Sequence, residues 1–155
     1  MQAENSRAKL LTQTSLRLTA LAVLSLAAGC SASSTALTQE EFVKQGNAIC
    51  AASDARIATE IAGLGLTQAP AGATAEALYG KLTGETAGII EGLRALTPPS
   101  ELQADYTALI AEADAVMAKV KAEGHEAYFA RTEDPLAEVN AKSVKMGLTA
   151  CGEGQ

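Results

Sequence analysis

The chain has 155 residues, with 18 acidic and 12 basic side chains and a net charge of −6. An acidic surface repels polyphosphate, which disfavours nucleic acid as a partner. Two Phe, three Tyr and no Trp leave the core to Leu, Ile, Val and Ala on closely approaching elements, where burial per residue is modest.

Residues 1–29 read as an export leader. Arg7, Lys9 and Arg17 stand against the single acid Glu4, and the uncharged stretch Leu18–Ala28 follows. A basic start, an apolar stretch and then small residues is the pattern of a secretory signal. The apolar stretch is 11 residues long, whereas a spanning helix needs about 20. Leu26-Ala27-Ala28-Gly29-Cys30 resembles the lipobox of bacterial lipoprotein precursors, although Leu is commoner than Ala at the position of Ala27. The resemblance implies a diacylglyceryl group on the Cys30 thiol, cleavage between Gly29 and Cys30, and a lipid anchor on the extracytoplasmic face of the cell membrane. The competing reading is a secreted chain cut after Ala32, with Cys30 incidental. Two or three acyl chains make a stable anchor, each buried methylene adding about 0.8 kcal/mol. Ser31–Leu37 completes a short small-residue linker (30–37 with Cys30), and 38–155 is one domain.

Removing the leader's three basic residues and one acid from 12 and 18 leaves 9 and 17, a net charge of −8. The first helix is expected to start at Thr38, where Thr38-Gln39-Glu40-Glu41 is a capping box flanked by Leu37 and Phe42. Phe42, Gly46, Ile49, Ser53, Ile57, Ile61 and Leu64 then recur at helical spacing, until Gly63 and Gly65 end the run. After the linker 67–73, a second helix spans about Thr74–Leu96, with Leu78, Leu82, Glu85 or Thr86, Ile89, Leu93 and Leu96 on its stripe. Gly80, Gly84, Gly88 and Gly92 recur every four residues on one side of it. This surface suits either close backbone packing or the docking of a partner, although each glycine costs about 1 kcal/mol of helix propensity.

Pro98-Pro99 stops that helix, and Ser100-Glu101-Leu102-Gln103 is a second capping box. The third helix carries Leu102, Tyr106, Leu109, Ala113, Val116 and Val120 to a C-terminal cap at Gly124. Asp134-Pro135 begins a fourth, with Leu136, Val139, Ser143 and Met146 on one face and an end near Gly147. The fold expected is all-α: an up-down antiparallel bundle of about four helices.

With Cys30 acylated, Cys50 and Cys151 remain. Outside the cytoplasm two cysteines allow one connectivity, closing a loop of about 100 residues worth up to roughly 4–5 kcal/mol. The alternative is a free thiol pair at a redox or metal site, against which stand the lack of Cys-x-x-Cys and of a nearby His. At about 1.5 Å per residue, a fourth helix descending from Asp134 brings Cys151 to the level of Cys50, about 18 Å along the first helix. That helix then covers only the far half of the bundle. An open apolar groove is therefore expected at the near half, around Phe42, Val43, Leu93, Leu96, Leu102 and Tyr106.

Catalytic signals are absent. His125 has Glu123, Glu126, Glu133 and Asp134 nearby, but residues one or two apart on a helix do not share a face. Met117 and Met146 sit on or beside core stripes, the Cys-x-x-Cys-His of covalent haem attachment is missing, and so is Gly-x-Ser-x-Gly. No cofactor or metal is expected, and the chain does not read as an enzyme. Phe42-Val43-x-x-Gly46-Asn47-Ala48-Ile49-Cys50 and Gly147-Leu148-Thr149-Ala150-Cys151-Gly152 resemble segments of small actinobacterial secreted lipoproteins. That resemblance implies the pairing of Cys50 with Cys151 and no activity. The leading expectation is an accessory or protein-interaction module at the cell surface, its partner unknown; the alternative is a small-ligand or lipid-binding bundle.

Overall fold

Residues 35–152 are described by the computed structural model; the leader, Cys30 and residues 31–34 lie outside the described residues. Four helices follow in order: α1 (Gln39–Leu64), α2 (Gly72–Arg94), α3 (Gln103–Ala130) and α4 (Ala137–Lys145), with a closing 3₁₀ turn at Thr149–Gly152. The protein is an all-α helical bundle stapled by a disulfide between Cys50 and Cys151.

Local chemistry sets the helix ends. The capping box of α1 forms as expected: the Glu41 N–H donates to Thr38 Oγ1 at 3.2 Å, and the Thr38 N–H donates to Glu41 Oε2 at 3.0 Å. Two orphan donors of the first turn are thereby satisfied. The box expected at Ser100 does not form. A turn in which the Leu102 N–H donates to Pro99 O (2.9 Å) leads into α3 instead, and no side chain caps that helix. Pro98 and Pro99 are buried, so their ring packing governs the entry geometry. Asp134 closes a turn ahead of the helix, its Oδ1 accepting from the Leu136 N–H at 2.9 Å, but it is not the cap: the regular helix begins at Ala137, two residues later than the Asp-Pro signal suggests, with Leu136 at its N-cap and no side chain capping it.

Pairs of contacts give the topology. Ser53 with Glu85 and Glu60 with Lys81 set α1 antiparallel to α2. Tyr79 with Val120 and Leu93 with Tyr106 set α2 antiparallel to α3. Lys142 on Glu112 places α4 beside the middle of α3. The core is centred on Phe42, which meets the Tyr106 ring edge-on at 5.0 Å. The Tyr106 hydroxyl donates to Leu93 O at 2.7 Å, satisfying a phenol that burial would otherwise penalise.

Gly124 interrupts α3 with φ 79°, a left-handed conformation costly to any residue with a Cβ. The straight run stops there, as expected, but a further turn resumes and folds Tyr128 back onto Tyr79, ring centroids 5.5 Å apart. Arg131 pairs with Glu123 and lies over the Tyr128 ring, holding the fold-back.

The chain after α4 overturns the expected near-half groove. At Gly147 (φ 93°) it reverses through a Schellman motif, with the Leu148 N–H on Ser143 O at 3.0 Å and the Gly147 N–H on Val144 O at 2.9 Å. The tail then climbs beside the first half of α1. Gly147 sits against Val43, Leu148 over Gly46, and the Ala150 N–H donates to Asn47 Oδ1 at 2.9 Å. Phe42 and Leu148 have no exposed surface. Leu93 and Tyr106 are buried too, and Val43, Leu96 and Leu102 are packed partly buried against the core. The tail fills the space in which a groove was expected. Cys151 thus reaches Cys50 while ascending, with Cα atoms 5.1 Å apart, and not at the end of a continued descent.

Candidate functional site

A different opening results. Among the described residues, no Cα of α1 lies within 8 Å of one of α4, while every other neighbouring pair round the bundle is in contact. With only nine residues, α4 packs on α3 and leaves the α1–α4 seam unclosed. The tail occupies the first half of α1, so among the described elements the second half has α2 alone as its neighbour. The seam is a cleft of about 550 Å³.

Three helices contribute walls with a common spacing. Cys50, Asp54, Ile57, Ala58 and Ile61 face it from α1, and Leu82, Thr86, Ile89, Ile90 and Leu93 from α2. Both sets step by four, three, one and three residues, a single helical face about three turns or roughly 16 Å long. Leu136, Val139, Asn140 and Ser143 continue the pattern at α4. The disulfide lies in its wall, and Tyr128 and Asp134 also line it. The lining is mostly apolar, with polar side chains at Asp54, Thr86, Asp134, Asn140 and Ser143.

From Ile61 in the seam wall, the apolar stripe continues onto the surface at Leu64. Ile61 is 44% exposed and Leu64 40%. They belong to the same stripe as Phe42 and Gly46, which the tail buries. Contiguous exposed apolar surface of this kind marks interaction sites more often than isolated residues do.

The charged groups around the seam are tied to the scaffold. Glu85 accepts from Arg56 Nε at 2.9 Å and from the buried Ser53 hydroxyl at 3.0 Å. These bonds, Arg56's first, hold its carboxyl below the usual carboxylate range. Lys142 donates to both Glu112 oxygens and pairs with Glu138. Burial pushes the Tyr128 phenol up, with the Asp134 carboxylate adding in the same direction, so the ring offers the seam a neutral hydroxyl at physiological pH.

Of the residues singled out in the sequence, Cys50 and Cys151 are brought together and Cys30 lies outside the described residues. Of the expected groove residues, Phe42, Leu93 and Tyr106 are buried and Val43, Leu96 and Leu102 pack partly buried against the core, with Leu93 also at one end of the seam lining. Glu123 is committed to Arg131, and among the described residues no three His, Cys, Asp or Glu side chains are placed to hold a metal ion. Met117 is core and Met146 packs against it. The glycine stripe divides: a Cβ at Gly92 would press on Ile49 at 3.1 Å, whereas Gly80, Gly84 and Gly88 face open space. Close packing therefore explains only the last of the four. Ile57, Ile61, Leu82 and Ile89 were legible as stripes but not as a site. Their signal lay in the mismatch between a 26-residue first helix and a nine-residue fourth.

No helix among the described residues is long and apolar enough to cross a membrane. Comparison with protein-family models, curated proteins and solved structures finds no match.

Proposed function

We propose that this chain is an extracytoplasmic lipoprotein, anchored through Cys30, whose helical domain is a protein-interaction module docking its partner in the α1–α4 seam. The observation that carries the reading is the seam itself: two long helices present matched apolar faces that the short fourth helix leaves uncovered. Grooves between helices take the apolar face of a partner segment at spacings of three and four residues. The leader 1–29 and the linker 30–37 supply the address in this reading, and the disulfide supplies rigidity suited to an oxidising compartment.

Two measurements test it. Mass spectrometry of the mature chain is expected to find Cys30 as the first residue carrying a diacylglyceryl group, and Cys30→Ala to release the protein from membranes. A mature chain starting after Ala32 without lipid would refute the anchor. Co-purification of the intact protein from membranes is expected to yield a partner that Ile57→Glu removes. Retention of every partner by that variant would refute the seam as the docking face.

The cleft volume of about 550 Å³ also lies in the range of small-molecule sites, which favours a second reading as a ligand- or lipid-binding bundle. Native mass spectrometry showing a stoichiometric bound molecule lost in Ile57→Glu would select it.

A further inference from the structure

Resting on the docking role of the seam, we propose that residues 125–135 are a lid over its Tyr79 end, hinged at Gly124, with a straightened α3 as the open state. The hinge is a matter of backbone alone. Gly124 sits at φ 79°, ψ −179°, a region essentially reserved for glycine. A Cβ there would meet nothing within 4 Å, so space does not exclude a side chain but conformation does. With a residue other than glycine, the favoured path is continuous helix from Gln103 to Ala130.

The closed lid is held by few contacts. Tyr128 meets the Tyr79 ring edge-on at 5.5 Å, and Arg131 lies 5.7 Å above the Tyr128 ring while pairing with Glu123. Tyr79, Tyr128 and Phe129 all stand outside the core cluster of the described residues. Behind the lid, between residues 130–135 and positions 116–123 of α3, lies a cavity of about 540 Å³. The segment therefore separates two spaces, the seam and this cavity. Arg131 Nη1 is buried with no hydrogen-bond partner among the described residues. The closed state carries that desolvation cost, and hydration relieves it on opening. Sparse apolar contact and an unsatisfied donor mark a segment that opens well before the molecule unfolds.

Chain length permits the movement. A straight α3 carries Ala130 about 15 Å past Val120 along the axis, and α4 lies about 9 Å across from it. The six links from Ala130 to Leu136 reach about 20 Å when extended, enough to span that gap while α4 stays in place through Lys142 and Glu112. Opening withdraws Tyr128 from the seam lining and lengthens the groove between α1 and α2 at that end.

The test uses the full chain with its disulfide formed and Cys30→Ala, so that introduced thiols are the only free ones. Nitroxide labels on Ala115→Cys and Ala130→Cys, both exposed positions, report the lid by electron paramagnetic resonance. Closed, Ala130 shares a cavity wall with Val116 and Val120 and the pair is at short range; open, continuous helix sets them about 22 Å apart. The parent is expected to show mainly the short distance, and Gly124→Ala mainly the long one. Tyr128→Ala removes the hook without touching the hinge and is expected to raise the long fraction about threefold, which keeps the test decisive if Gly124→Ala folds poorly. In a separate chain, a thiol at Leu82→Cys, which shares the seam lining with Tyr128, is expected to react with a maleimide about tenfold faster when Gly124→Ala is added. A short distance unchanged in both variants, or a Leu82→Cys rate indifferent to them, would overturn the inference. If the lid stays shut while Ile57→Glu still removes a partner, the lid falls and the docking role stands; if the lid opens while Ile57→Glu keeps every partner, the movement stands and the docking role falls.

Discussion

Replacing Leu148 with Ala probes the feature that moves the open surface from one half of the molecule to the other. The side chain has no exposed surface, and its Cδ2 lies 2.5 Å from where a Cβ on Gly46 would stand. Truncation removes three carbons from the core, about 2.4 kcal/mol at roughly 0.8 kcal/mol per buried methylene. A cavity term adds to this because Gly46 has no side chain to collapse inward and the disulfide pins the tail, so the total is about 3–4 kcal/mol. Urea unfolding of the oxidised protein is expected to show that loss of free energy as a lower midpoint at an unchanged slope. Gly46→Ala completes the cycle. Alone, it forces Leu148 aside, at about 1–3 kcal/mol, against a helix-propensity gain of about 1 kcal/mol. Combined with Leu148→Ala, it occupies the vacated space and becomes stabilising. A coupling of at least about 1 kcal/mol is therefore expected. A Leu148→Ala cost below about 1 kcal/mol with additive effects would mean that the tail is not packed there, and that the near half of the bundle is open after all.

Three further outcomes follow from the geometry. The double variant Cys50→Ala/Cys151→Ala opens a loop with a sequence separation of 101 and is expected to lose about 2–5 kcal/mol in denaturant unfolding. Glu85, held below the usual carboxylate range by Arg56 and Ser53, contributes stability that is present above the ordinary carboxylate pKa and lost as pH falls through its lowered value. Melting temperatures followed into acid should accordingly decline less steeply in Glu85→Gln than in the parent chain. Burial raises the Tyr106 phenol to about 12, so its contribution is complete below the ordinary tyrosine value near 10 and lost as pH rises toward 12. An alkaline absorbance titration should show it still protonated when an exposed tyrosine has ionised, and Tyr106→Phe should cost about 1 kcal/mol for the lost bond to Leu93 O.

What could be read from the sequence was local or set by covalent arithmetic. The capping box at Thr38 needs partners only three residues apart, and it forms. The helical stripes and the bridge between Cys50 and Cys151 likewise follow from spacing and count. The Ser100 box has the same residue pattern and fails, because the buried Pro98-Pro99 pair sets the chain's entry into α3. The reversal at Gly147 was the decisive omission. That glycine marks a helix end by its type, but nothing local indicates that Leu148 then crosses to Gly46, about a hundred residues away. Once that contact forms, Phe42 and Tyr106 become core, and the unclosed seam passes to Ile57, Ile61, Leu82 and Ile89. The stripe of glycines shows the converse limit: a periodic pattern identifies a face of α2 but not what covers it, and three of the four face open space.

The central claim is that the seam is where a partner sits on the anchored protein. A photo-crosslinking residue placed at Ile57 in cells tests this most directly, with one at the exposed Lys121 of α3 as the control. The account predicts one dominant adduct from position 57, absent from position 121. Equal adducts from both positions, or none from position 57 in protein confirmed to be folded and membrane-bound, would contradict it.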